Sequence, residues 1–220
     1  MKKLSVIAIA CLFAFPVLGQ QLFFEAFSGY NLTNYNLEGF DDQEGYIPLG
    51  FRLAGGFEHI QFGAEYHRDI TNATFDQGDF KTEFTNEYYG GLVRANFSSL
   101  PAYRFGLVLK AGAGLYNTSR QRLSVPASDP IGEAVEYDPQ FGFNAGIGFS
   151  SPIHTIVHWE MGYMFHYVKF DPLQAGAPGY DGFYHSFQAG FSINLVFGNV
   201  AKACRSVIKT DRNGRSRRIR

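Results

Sequence analysis

Between positions 21 and 197 the chain alternates apolar with small or polar residues in eight separate bursts. The stretch 104–116 shows the pattern most cleanly: Phe105, Leu107, Leu109, Ala111, Ala113 and Leu115 occupy the odd positions. Arg104, Gly106, Val108, Lys110, Gly112, Gly114 and Tyr116 occupy the even ones. A period of two marks a β-strand whose two faces meet different surroundings. A soluble barrel with an apolar cavity would carry its charges outside, on a surface rich in Lys, Glu and Thr. Here the second face is dominated by glycine, which fits a closed sheet with hydrocarbon outside and a tightly filled polar interior.

The eight bursts predict strands at about 22–30, 48–57, 60–69, 84–97, 103–116, 139–150, 156–169 and 183–197. Connections near 58–59, 98–102 and 151–155 are short. Those at 31–47, 70–83, 117–138 and 171–182 are long and rich in Gly, Asn, Asp and Pro, the residues of turns and loops. Short turns at one rim and long loops at the other describe an antiparallel up-and-down transmembrane barrel, with an even strand count returning both ends to the short-turn rim. No stretch after position 20 offers 18 consecutive apolar residues, so a helical membrane span is excluded there.

Residues 1–19 combine Lys2 and Lys3 with an apolar run from Leu4 to Leu18 and a small residue, Gly19, and read as a secretory signal peptide. Residues 20–198 form the expected barrel and 199–220 a basic tail. Cys204 is the single cysteine after the leader, so no internal disulfide is expected. The net charge of −1 hides an asymmetry. The tail holds eight Lys/Arg against Asp211, while 20–198 holds nine against nineteen Asp/Glu.

The same parity places Glu25, Arg52, Glu65, Arg94, Lys110 and Glu160 in the interior, three acids facing three bases. On the lipid face an arginine or lysine would cost about 2–4 kcal/mol at the midplane, which enforces the assignment. Interior glycines leave room for the long charged side chains, so the lumen is expected to be plugged.

In the last burst, Gln188, Gly190, Ile193, Leu195 and Phe197 set a polar residue and a glycine ahead of spaced apolar residues ending in Phe. With this the chain resembles the small eight-stranded outer-membrane barrels of the OmpA/OmpX type, in particular the barrel class common in Bacteroidota, over roughly 21–197. The resemblance implies Gram-negative outer-membrane localisation with both termini periplasmic. It implies contact with outer-membrane lipid and lipopolysaccharide, and a final strand read by the outer-membrane assembly machinery. A basic tail follows, not the peptidoglycan-binding domain of some members, so that activity is not expected.

Catalytic and metal readings fare less well than bland ones. Glu65, His67, His158, Glu160 and His166 share the interior parity, but eight residues of strand separate His158 from His166 by about 26 Å. Structural ion pairing and solvated histidines near the rims are expected instead, with no metal and no cofactor. Some barrels of this size modify lipid A with His, Ser and an acid. Here His185 and Ser186 are adjacent and point to opposite faces, with Asp181 nearby, so no catalysis is expected. Glu38, Asp41, Asp42 and Glu44 form an acidic loop that resembles no established Ca²⁺ motif. Tyr30, Tyr35, Phe40, Tyr46, Phe75, Phe80 and Phe84 are expected to be exposed, as a contact surface or an upper aromatic girdle.

The tail residues Lys202, Arg205, Lys209, Arg212, Arg215, Arg217, Arg218 and Arg220 suit anionic lipid, an acidic periplasmic protein or peptidoglycan. Nucleic acid is not a partner in that compartment. The expected function is structural or interaction-based, through loops and tail. Alternatives are an accessory barrel anchoring a periplasmic or secretion assembly, and a narrow channel gated by the interior charge pairs.

Overall fold

A computed structural model describes residues 21–37, 40, 43–57, 59–97, 106–154, 156–172 and 177–196. The expected leader, the basic tail, Phe197, the strand start at 103–105 and Glu38, Asp41 and Asp42 of the acidic loop lie outside the described residues.

Eight long strands make the wall: β1 (Gln21–Tyr35), β3 (Pro48–Gly56), β4 (Ile60–Asp69), β6 (Phe80–Phe97), β7 (Gly106–Ser124), β9 (Gln140–Pro152), β10 (Val157–Phe170) and β11 (Tyr180–Val196). Three short ones, β2 (Glu44–Tyr46), β5 (Ala73–Asp76) and β8 (Val135–Glu136), sit in the long connections. Each wall strand pairs antiparallel with its chain neighbours, and β1 pairs with β11, so the ring closes without a free edge. Closure matters because hydrocarbon offers no partner to an unpaired backbone amide.

Following directly opposed residues around the ring leads from Glu25 through Arg52, Glu65, Gly90, Gly114, Gly142, Val168 and Gly182 back to Tyr35 on the starting strand. The stagger is therefore ten residues. Ten residues of rise against eight inter-strand spacings tilts the strands by about 40°, within the range of closed barrels.

The outer wall carries exposed Phe24, Phe51, Phe62, Leu109, Phe143, Ile147, Phe149, Phe191 and Ile193. An apolar belt of this extent has no place in water and suits a bilayer core. Its boundary toward the long connections is marked by ring-and-hydroxyl residues holding polar partners. Tyr66 donates to Glu87 (2.8 Å), the Tyr163 hydroxyl lies 2.6 Å from His185 Nδ1, and Tyr167 donates to Asp181 (3.3 Å). Amphipathic rings with a wet tip belong at such an interface.

The long connections are shorter than expected. β1 continues to Tyr35 because Asn31, Thr33 and Asn34, read as loop formers, pair in register with β11 up to Tyr35 opposite Gly182. β6 starts at Phe80, and β7 runs to Ser124 opposite it. The two strands thus extend beyond the girdle and are flanked there by β5 and β8.

Candidate functional site

The interior is built in layers, and the inward residues of β4 name them in order: Gln61, Glu65, His67, Asp69. The first two belong to a charged layer in which acids and bases alternate along one chain of contacts. Glu65 binds Arg52 (Nε to Oε2, 2.9 Å), and Arg52 Nη1 donates to Glu25 (2.9 Å). Glu25 faces Lys110 Nζ at 3.5 Å, Lys110 reaches Glu160, and Glu160 accepts from Arg94 Nη2 (2.7 Å). Arg94 ends the chain on Gln61 (2.9 Å). Six strands contribute one charge each, and Gln188 of β11 accepts from Arg52 Nη2 as a seventh.

β9 supplies no charge to this layer. Its inward face is Gly142, Asn144, Gly146 and Gly148, which gives long side chains from opposite strands somewhere to go. Two further contacts fix the guanidiniums: Arg52 lies 3.7 Å from the Phe27 ring centroid and Arg94 4.2 Å from that of Phe23. Such stacking is favourable once the cation is desolvated. Phe27 in turn needs a glycine opposite, since a Cβ on Gly50 would stand 2.2 Å from its ring.

Above the charges, His67 and His166 meet edge to face at 5.2 Å between ring centroids. His67 stacks on Tyr88 (5.1 Å) and lies 3.4 Å from Glu65; the Tyr116 hydroxyl stands 3.0 Å from His166 Nδ1. Both histidines are buried, which corrects the expectation of solvated imidazoles near the rims. Alternation put them on the inner face, but only cross-strand register shows that a β4 and a β10 imidazole share one height. His158 and His166 are on one strand and do not meet. Among the described residues no three His, Cys, Asp or Glu side chains gather so as to hold a metal ion.

The next layer is organised by Asn86. Its backbone N–H and Nδ2 both donate to Asp69 Oδ2 (2.7 and 2.9 Å), and its Oδ1 accepts from Thr118 (2.9 Å) and Tyr184 (3.3 Å). Tyr35 stands 3.3 Å from Nδ2. One amide thus ties β1, β4, β6, β7 and β11 at the level where the strands leave the girdle.

The lumen then closes under an aromatic cap. Tyr35, Phe40, Tyr46, Phe75, Phe84, Tyr116, Tyr137, Phe170, Tyr180 and Tyr184 form one buried cluster. Tyr35 and Phe84 lie 4.4 Å apart, Phe170 and Tyr180 4.8 Å, and most other pairs meet edge to face, the arrangement ring quadrupoles favour. This overturns the expected exposure of Tyr35, Phe40, Tyr46, Phe75 and Phe84; of that group only Tyr30 is exposed, with Phe80 partly so under Arg122. The missed signal was parity. Tyr35 continues the inward odd positions of β1, and Phe84 continues the inward even positions of β6.

Ser186 is buried and accepts from Gln188, while His185 faces outward against Tyr163, so the two share no site. Of the final-strand residues, Gln188 and Gly190 face inward and Ile193 and Leu195 outward.

No protein-family model matches this sequence, and no curated protein matches it. Solved structures do. Neisserial surface protein A, NspA, shares 14% identity over 78% of this chain and 96% of its own, with a TM-score of 0.60. Ail, the attachment invasion locus protein of Yersinia pestis, solved with the heparin analogue sucrose octasulfate, shares 12% identity over 79% of this chain and 99% of its own, with a TM-score of 0.51. At such identities the likeness carries the fold, that of the small eight-stranded outer-membrane barrels of OmpA/OmpX type.

Proposed function

We propose that this chain is an integral outer-membrane barrel without catalysis, acting structurally or by contact through its long-connection end and its basic tail. In this reading the long connections lie outside the cell, and both ends of the barrel face the periplasm. The filled interior carries the reading. A charged layer spans the lumen and an aromatic cap closes it, and beside Glu25, Lys110 and Glu160 a cavity of about 10 Å³ offers roughly one water's worth of room.

A channel needs a continuous wet path, and the cap works against one. The tail, with its eight cations, remains the natural contact for acidic periplasmic proteins, peptidoglycan or anionic lipid. Ail's structure with a heparin analogue is compatible with a contact role for a barrel of this shape, and no ligand is transferred from it.

The test is twofold. Purified barrel in planar bilayers is expected to give no single-channel steps; steady steps from the parent protein would overturn the reading. On intact cells, a protease site placed at the exposed tip around Val125 and Ile131 is expected to be cut. Protection there, with cutting only after the envelope is opened, would reverse the orientation.

A further inference from the structure

The belt is not uniformly convex. Phe24, Phe51, Leu53, Ala64, Tyr66 and Tyr89 line a groove of about 480 Å³ on the outer wall across β1, β3, β4 and β6. Phe24 and Phe51 stack at 6.3 Å to form one bank. Tyr66 and Tyr89 form the other, and Ala64 stands directly opposite Gly91, so no large side chain rises from the floor there.

The groove has a polarity. Tyr66 points its hydroxyl to Glu87, marking the interface, and two residues further up β4 on the same face stands Arg68. Arg68 is exposed and forms none of the ion pairs found among the described residues. Its cross-strand neighbour Glu87 is already engaged by the Tyr66 hydroxyl and by Asn117 Nδ2. On the other side of the barrel, by contrast, Lys169 stands opposite Asp181.

We infer that this groove seats an acyl chain of a phosphorylated glycolipid of the outer leaflet, with the Arg68 guanidinium on its phosphate. The length of wall below the girdle takes the hydrocarbon, and an exposed planar cation at the interface takes the anion, which guanidinium recognises bidentately. The choice of an outer-leaflet lipid rests on the proposed orientation.

Native mass spectrometry of the detergent-solubilised full chain tests this with two probes, purified lipid A and phosphatidylethanolamine. Lipid A is expected to be retained at least fivefold better. Arg68→Gln is expected to reduce its retention about fivefold, the value of one cation near an anionic lipid surface. Ala64→Phe, which fills the floor, is expected to reduce retention of either acyl probe, and heat-modifiable migration on gels reports that each variant is folded. Equal retention of both probes, retention unchanged in both variants, or a protein dimer in place of lipid adducts would overturn the site. Reversed orientation would show in the cell-protease assay alone, so the two failures are distinguishable.

Discussion

Replacing Arg52 by methionine is expected to lower the unfolding free energy of the barrel by about 3–5 kcal/mol, measured as urea unfolding in phospholipid vesicles. Arg52 is completely buried and donates to Glu25, Glu65 and Gln188 at once. Methionine retains most of the volume, so the cost is not chiefly a cavity. It arises because two buried carboxylates lose their shared cation. Glu25 keeps Lys110 at 3.5 Å, whereas among the described residues Glu65 keeps only His67, so the greater share falls on Glu65. Adding Glu65→Gln to Arg52→Met is therefore expected to recover a substantial part of the loss. If Arg52→Met unfolds within about 1 kcal/mol of the parent, the charge chain does not hold the wall together.

The second large effect is on the opposite face of the same strand that carries Lys110. Leu109→Arg is expected to cost about 2–4 kcal/mol in the same assay, although its immediate neighbour in sequence is already a cation. Leu109 lies on the outer wall between Ala95 and Ile147, in the apolar belt, and Lys110 lies inside against Glu25 and Glu160. One residue of register moves a charge from an acid-lined interior to hydrocarbon. The control is Ser119→Arg, on the same outward face of β7 but beyond the girdle, where the cost is expected to fall to about 0–1 kcal/mol. Equal effects at the two positions would mean that no depth-dependent apolar medium surrounds the wall.

What the sequence disclosed follows from what a period of two encodes. Alternation tells which face a residue takes, so the inward placement of Glu25, Arg52, Glu65, Arg94, Lys110 and Glu160 could be read off directly. It does not tell how high a residue stands relative to another strand. That Glu65, Arg52 and Glu25 are directly opposed, and that His67 meets His166, depends on a stagger of ten residues that no single strand records. The aromatic cap was hidden for a different reason. Asn31, Thr33 and Asn34 belong to residue types that favour turns, and their presence ended the predicted first strand early. In the fold they pair in register with Ser186, Tyr184 and Phe183 of β11, so β1 runs on and carries Tyr35 inward. Local turn preference lost to cross-strand pairing, and inward parity was the better guide.

Everything rests on hydrocarbon wetting the odd positions of β7. Single nitroxide labels at 109, 111, 113 and 115, in barrels reconstituted into vesicles, test it through collision with oxygen against a water-soluble nickel complex. The expected result is high oxygen and low nickel accessibility at all four, with the depth passing through a maximum within the series. Nickel accessibility at these positions equal to that of a label at 125 would place them in water, and the membrane barrel would be contradicted.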